Sequence, residues 1–238
     1  MIPRIVSDFL SQRRGPVGAW YNAYCEYRWG DPCLRLISSL ADRKRLAIDV
    51  GANVGTYSFF MRRYARRCIA YECNPNLVEM LRYRFGNSID IRAKAVSDKS
   101  GDIELRIPKS NVGHGVGRAT IEPKNSLAGN FDGVDEITVR RVTLDDEINE
   151  PVGLIKIDVE GHEIAVLRGA QSIIDRDRPT LIIELEDRHN PGCVDSAFSF
   201  FAEHNYRIAY LRNRRLTDID THSKNVRNDT VNYIFIPR

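Results

Sequence analysis

The sequence predicts an α/β fold with a mostly parallel sheet, and two observations carry that expectation. Short apolar runs alternate with helix-forming stretches at the spacing of βαβ units: residues 46–50, 68–72, 89–93, 154–158 and 180–185. The first of these runs leads directly into a glycine-bearing turn, Gly51-Ala52-Asn53-Val54-Gly55, of the kind that carries a buried strand into a helix. At 238 residues, the chain has room for one sizeable core.

In chain order, residues 1–45 read as an irregular or helical cap ahead of a main domain over 46–238. Trp20, Tyr21, Tyr24, Tyr27 and Trp29 form an aromatic stretch expected to pack inward, with a cover over a substrate as the alternative. Leu34, Leu36, Ile37 and Leu40 suggest a helix ending near Asp42–Arg45. Leu46–Val50 is short and apolar, hence a buried strand. Thr56–Tyr64 follows as a helix, with Phe59, Phe60 and Tyr64 inward and Arg62, Arg63, Arg66 and Arg67 outward. Cys68–Glu72 is the second strand, and Pro75 and Asn76 open a helix carrying Leu77, Met80, Leu81 and Phe85. Ile89–Ala93 is the third strand.

Ile103–Ile107 and Ile137–Val142 alternate with period two and read as a small antiparallel excursion. Between them, residues 108–136 are rich in Gly, Asn and Ser, and so long an irregular stretch in a compact domain is functional or mobile. Leu154–Asp158 is the fourth core strand, Glu163–Gly169 a helix, and Thr180–Leu185 the fifth strand. Phe198–His204 lies on a further helix. Tyr206–Leu211 and Val231–Ile236 read as a terminal antiparallel pair joined by a polar loop.

Composition narrows the function classes. Hydrophobic residues are 42% and charged residues 28%, ordinary for a globular chain. The net charge of +3 does not by itself imply nucleic-acid binding, and no nucleic-acid partner is expected. The ends are basic: residues 1–45 hold 8 Lys/Arg against 4 Asp/Glu, and residues 207–238 hold 7 against 3. Such ends are either solvated surface or a peripheral contact with an anionic substrate or membrane. The five cysteines (25, 33, 68, 73 and 193) form no CxxC pair, which argues against a disulfide framework or structural zinc and for a reducing cytoplasm. The chain shows no apolar run of the roughly 18–20 residues that a membrane span needs. Residues 1–14 lack a signal-peptide core.

The informative constellation is the turn after the first strand together with Glu72, which closes the second strand 21 residues after Gly51. That is roughly the interval at which a strand-end carboxylate meets ribose hydroxyls in a βαβ fold. Two cofactor classes compete for it. A dinucleotide site prefers G-x-G-x-x-G, because a pyrophosphate must rest on bare backbone at a helix N-terminus. Here Asn53 stands between Gly51 and Gly55, and Asp49 precedes them. An acid at that point repels a pyrophosphate and suits the cationic methionine end of S-adenosylmethionine.

The segments Ile48–Gly55, Ala95-Val96-Ser97-Asp98 and Lys156-Ile157-Asp158-Val159-Glu160-Gly161-His162-Glu163 resemble the FkbM-type methyltransferases. Arg168-Gly169-Ala170 and Ile183-Glu184 fit the same family, and the resemblance spans roughly residues 46–190. It implies a class I methyltransferase (Rossmann-like) fold, with a seven-stranded, mostly parallel sheet, helices on both faces and a terminal antiparallel strand. It also implies S-adenosylmethionine as methyl donor and a hydroxyl of a sugar, glycolipid or related natural product as acceptor. Carried over by position, Asp49, Gly51, Asn53 and Gly55 line the methionine side, Glu72 the ribose, and Ala95 the adenine rim. One departure follows Glu72: the family's E-P-x-P is here Glu72-Cys73-Asn74-Pro75, so a rigid proline is missing beside the adenine.

Methyl transfer to a hydroxyl needs an oxygen held about 3 Å from the methyl carbon, and a base adds roughly 10²–10⁴-fold. Ligands of open α/β sheets sit at the carboxyl ends of the strands, which selects Asp158, Glu160 and Glu184 as catalytic candidates. His114, in the glycine-rich loop, is a fourth candidate base that would close over the acceptor. Lys156 shares the strand face of Asp158 and either holds the site's carboxylates or pairs with one structurally. Glu163 suits a helix cap, and His162 an exposed polar position. Asp158, Glu184, Glu186 and His189 are rich in oxygen donors, but no compact spacing calls for a metal. An NAD-dependent dehydrogenase and a non-catalytic nucleoside-binding protein on the same fold remain as alternatives.

Overall fold

The computed structural model describes residues 15–109, 118–127, 131–219 and 230–238. The main sheet is built on β1 (Leu46–Val50), β2 (Arg67–Tyr71), β3 (Asp90–Arg92), β7 (Val152–Ile157) and β8 (Thr180–Glu184), which run parallel. β11 (Asn232–Pro237) inserts antiparallel between β8 and β9 (Tyr206–Arg212), as the terminal pair predicts. With β10 (Arg215–Asp218) at one edge, the order is β10-β9-β11-β8-β7-β1-β2-β3.

The sheet therefore has eight strands, not seven. The additional strand, β10 (Arg215–Asp218), pairs antiparallel with β9 inside the stretch expected to be a polar loop. A two-residue turn makes it possible: Asn213 and Arg214 both adopt positive φ, 49° and 63°, the requirement of a tight hairpin that usually selects glycine. Arginine there hides the turn from a sequence reading.

Helices cover both faces of the sheet. One core holds Ile48, Val50, Ile155 and Ile157 of the central strands with Val166, Ile173 and Phe201 of the helices Glu163–Arg168, Gln171–Asp177 and Cys193–Glu203. The opposite core holds Ala47 and Leu154 with Ala19, Ile37, Met61 and Leu81. These last four belong to α1 (Pro16–Trp29), α2 (Ile37–Leu40), α3 (Thr56–Tyr64) and α4 (Pro75–Phe85). Period-two alternation along β1 and β7 thus sends Asp49 and Lys156 to the α3 side, where they are direct neighbours across the strand pair.

One expectation about the N-terminal half is corrected. On α1 the small residues Gly18, Ala19 and Ala23, with Tyr21, face inward. The larger rings point outward: Trp20 is 56% exposed and Trp29 71%. Small side chains let the helix approach the body closely, and that turns the aromatic face to solvent, where Trp20 and Tyr24 stack at 5.5 Å. On α3 the buried residues are Ser58 and Met61. Phe59, Phe60 and Tyr64 pack against the core as expected, though each is only half-buried, and Phe60 also stacks on Tyr27 of α1.

The predicted excursion is a separate three-stranded sheet. β5 (Gly101–Lys109) and β6 (Gly133–Val142) pair antiparallel, and β4 (Ala95–Val96) lies parallel to β6. Residues 118–127 return along β5, where Thr120 bridges to Arg106. This small sheet overhangs the carboxyl ends of β1 and β2 and forms one wall of the cleft described next.

Candidate active site

At the carboxyl ends of β1, β2, β7 and β8 lies a cleft of about 710 Å³, part of it open to solvent. Gly51, Asn53, Glu72 and Ala95 line it, and so do Asp158, Glu160 and Glu184. Seven of the ten residues selected from sequence therefore meet in one place. His114 lies outside the described residues. Asp49 and Gly55 are not on the cleft wall.

The turn explains both of those placements. Asp49 is buried and accepts a hydrogen bond from Ser58 Oγ of α3, so its carboxylate faces the helix rather than the cleft. Burial raises its pKa to about 6, against the pull of Ser58 and Lys156. Gly55 has φ 83°, and a Cβ there would stand 2.4 Å from Phe85 Cε2 and 2.7 Å from Leu81 Cδ2. Its role is to bring α3 against α4. Gly51 has φ 78°, and a Cβ would stand 1.8 Å from the carbonyl oxygen of Asp158. It lets the turn cross the end of β7.

Glu72 ends up with both oxygens fixed. The backbone N–H of Asn53 donates to Oε2 at 2.8 Å, and that of Asn74 donates to Oε1 at 2.8 Å. Asn53 reaches this position in the left-handed region, φ 51°, a conformation that asparagine tolerates better than most residues. A carboxylate offers about four acceptor positions, so Glu72 keeps acceptor capacity for a ligand. Burial raises the Glu72 pKa, and the amides of Asn74, Asn53 and Cys73 oppose it. Asn74, where the family motif has any residue, caps α4 by accepting from Asn76 N–H at 3.1 Å. Cys73, in place of the proline, lies half-buried on the cleft wall.

Part of the lining is apolar: Leu77, Val96, Leu105, Ala119 and Ile121. Sequence reading missed these, because Leu105 and Ile121 reach the cleft only through the folding of the small sheet over it. Alternation along β5 was the available signal, and it shows a face without showing what the face covers.

At the other end of the cleft the carboxylates gather. Glu160 adopts φ 54°, a strained conformation for a residue with a side chain. Thr120 Oγ1 and Asn125 Nδ2 hold it there by donating to its carbonyl at 2.9 and 2.7 Å. Its Oε2 lies 3.3 Å from His189 Nδ1. Burial first, then Asp158, Glu163 and Glu186, push the Glu160 pKa up to about 7. Burial and Asp158 push Glu184 up to about 8 despite Lys156. Lys156 is buried, 3.6 Å from Asp158 Oδ2 and 5.1 Å from the centre of the Tyr57 ring. Burial opposes its charge, but the carboxylates of Asp158, Glu184, Asp31 and Asp49 outweigh that, and its pKa is raised.

Two neighbours have structural parts. Glu163 Oε1 accepts from Gly161 N–H at 2.9 Å and Val159 N–H at 3.3 Å, so it closes the turn ahead of the helix rather than capping the helix as expected; that helix has no side-chain cap. His162 is not exposed but buried, with Nε2 3.0 Å from Ser97 Oγ and Nδ1 3.0 Å from Glu122 Oε2. It ties the β4 end and the 118–127 segment to the loop that carries Glu160. Among the described residues, no group of three His, Cys, Asp or Glu side chains is arranged to hold a metal ion. Among them, too, no helix is long and apolar enough to cross a membrane.

Fold order and cleft position define a class I methyltransferase domain, with the ligand site at the carboxyl ends of the parallel strands. The chain belongs to the FkbM family of S-adenosylmethionine-dependent methyltransferases: the model described as Methyltransferase FkbM domain matches residues 49–214. A curated relative, the hexuronic acid methyltransferase AglP of Haloferax volcanii, is 28% identical over 145 residues, covering 57% of this chain and 54% of that protein. The chain thus spans about half the length of that relative. Among solved structures, the methyltransferase FkbM from Methylobacillus flagellatus KT superposes with a TM-score of 0.52 at 14% identity, covering 98% of this chain and 58% of that one. The O-methyltransferase from Bacillus cereus in complex with SAH gives a TM-score of 0.48 at 11% identity, covering 98% and 97%.

Proposed function

We propose that the chain transfers a methyl group from S-adenosylmethionine to a hydroxyl of a sugar, glycolipid or related natural product. The observation that supports this best is the pairing, across one cleft, of an amide-anchored Glu72 with the carboxylates Asp158, Glu160 and Glu184. The residues present fit the donor. The remaining acceptor capacity of Glu72 suits the ribose diol, the apolar lining suits the adenine, and the acidic end suits a cationic methionine group. Bound there, S-adenosylmethionine supplies a methyl carbon on a positively charged sulfur. The sugar acceptor draws support from the relative named for a hexuronic acid.

Glu160 is the base we assign. It lines the cleft, its backbone is locked by Thr120 and Asn125, and a pKa of about 7 matches a base that works near neutral pH. It takes the hydroxyl proton as the oxygen attacks. Asp158 supplies negative charge beside the donor's cationic end, whereas Glu184, pushed up to about 8, is largely protonated at neutral pH and offers a hydrogen bond there instead.

Calorimetric titration tests the donor site: S-adenosylhomocysteine binds and NAD gives no heat. The opposite result would return the chain to the dehydrogenase class. For the base, Glu160→Gln lowers kcat by roughly 10²–10⁴-fold and leaves donor affinity within a few fold. In the native enzyme, kcat rises as pH passes upward through about 7, where Glu160 loses its proton. Persistence of that acid limb in Glu160→Gln would move the role to another carboxylate.

A further inference from the structure

A second, smaller cavity opens beside the cleft, and Glu160 stands in the wall of both. Its other lining residues are Arg118, Asn125, Leu127, Arg188 and His189. The contrast in charge is informative. The carboxylates Asp158, Glu160 and Glu184 border the main cleft, whereas the side cavity sets two guanidinium groups against a single carboxylate. Arg188 uses Nε and Nη2 on the carboxylate of Glu186, the latter at 2.6 Å from Oε1. A guanidinium has five N–H donors, so three are left. Arg118 is exposed and has no ion pair among the described residues.

The remaining walls suit a polar ligand. Asn125 is committed, donating to the Glu160 carbonyl and accepting from Leu127 N–H at 2.9 Å, so it holds the cavity's shape. Burial, then Arg188 and Arg118, lower the His189 pKa against the pull of Glu186 and Asp158. Those charges and the burial disfavour the imidazolium form, which leaves the arginines as the cavity's cations.

We propose that this side cavity is an anion subsite of the acceptor, in which a carboxylate or phosphate carried by the sugar is held between Arg118 and Arg188 while a hydroxyl of the same sugar reaches Glu160. The proposal rests on the methyl-transfer function and adds to it the charge of the substrate. Planar guanidinium groups match carboxylate and phosphate oxygens two at a time. In the reaction, the hydroxyl proton passes to Glu160 and the oxygen lone pair forms the new bond to the methyl carbon. The carbon–sulfur bond breaks, its electron pair stays on sulfur, and the anionic group is unchanged.

The test titrates the full chain, saturated with S-adenosylhomocysteine, with glucuronate, glucose 6-phosphate and glucose. At least one of the two anions binds tenfold or more tighter than glucose, and the tighter one identifies the anion's chemistry. Arg118→Gln and Arg188→Gln each weaken that anion by tenfold or more and keep S-adenosylhomocysteine affinity within twofold. Arg118→Lys, which keeps the charge, loses less than Arg118→Gln. Equal binding of all three sugars, or unchanged anion affinity in both glutamine variants, overturns the subsite and leaves the donor site standing. Failure of the native chain to bind S-adenosylhomocysteine overturns the methyl-transfer function itself, and the subsite with it.

Discussion

Glu72→Ala is expected to weaken S-adenosylhomocysteine binding by about 100-fold or more. The carboxylate sits with one oxygen on the Asn53 amide and the other on the Asn74 amide, so its orientation is set before any ligand arrives. A ribose diol meeting it forms two hydrogen bonds to a charged acceptor, each contributing about 1.5–3 kcal/mol, and about 1.4 kcal/mol is a tenfold change in affinity. Alanine removes both. Glu72→Gln keeps the size, loses the charge, and falls between native and alanine. The melting temperature separates this from unfolding: Glu72 stands at the edge of the cleft, and water can replace it on the two amides. Calorimetry showing alanine within threefold of native, with the fold intact, would remove Glu72 from the donor site.

The second large effect concerns stability. Gly51→Ala is expected to destabilise the domain by about 4 kcal/mol or more, at the severe end of single substitutions, and to lower Tm by roughly 8–16 °C at this chain length. Two costs add. A side chain at φ 78° is strained by about 1–2 kcal/mol, and the new Cβ meets the Asp158 carbonyl at 1.8 Å, backbone against backbone. Relief requires β1 and β7 to separate at the ends that form the cleft. Gly86→Ala is the control: φ is 50° there and nothing lies within 4 Å of the built Cβ, so only the strain applies. Equal Tm losses in the two variants would refute the collision. The clash also displaces Asp158, so surviving Gly51→Ala protein binds S-adenosylhomocysteine poorly.

The legible and illegible parts of the site differ in kind. Glu72 was readable because a strand end followed by a helix places a carboxylate at a known interval from the first turn, and that geometry is local to one βαβ unit. Asp158, Glu160 and Glu184 were readable for the same reason: Asp158 and Glu160 follow the end of β7, the neighbour of β1, and Glu184 ends β8 beside β7. Asp49 was readable as an acid in the right turn and was assigned to the wrong side, because strand alternation sends it under α3 to Ser58. Gly51 and Gly55 were expected to make room for a ligand. One of them makes room for the Asp158 carbonyl and the other for Phe85 and Leu81. His162 carries no local mark of burial. Its partners Ser97 and Glu122 lie 65 and 40 residues away in sequence.

The sequence by itself determined the order of strands and helices, the parallel core, the terminal antiparallel pair and the strand-end carboxylates, since apolar period, turn chemistry and charge act over a few residues. Tertiary structure alone decided how the small sheet closes an apolar wall over the cleft, the burial of His162 between Ser97 and Glu122, and the meeting of Arg118 with Arg188 beside Glu160. Those outcomes depend on contacts between segments far apart in the chain, and no local pattern encodes a partner that only folding brings near.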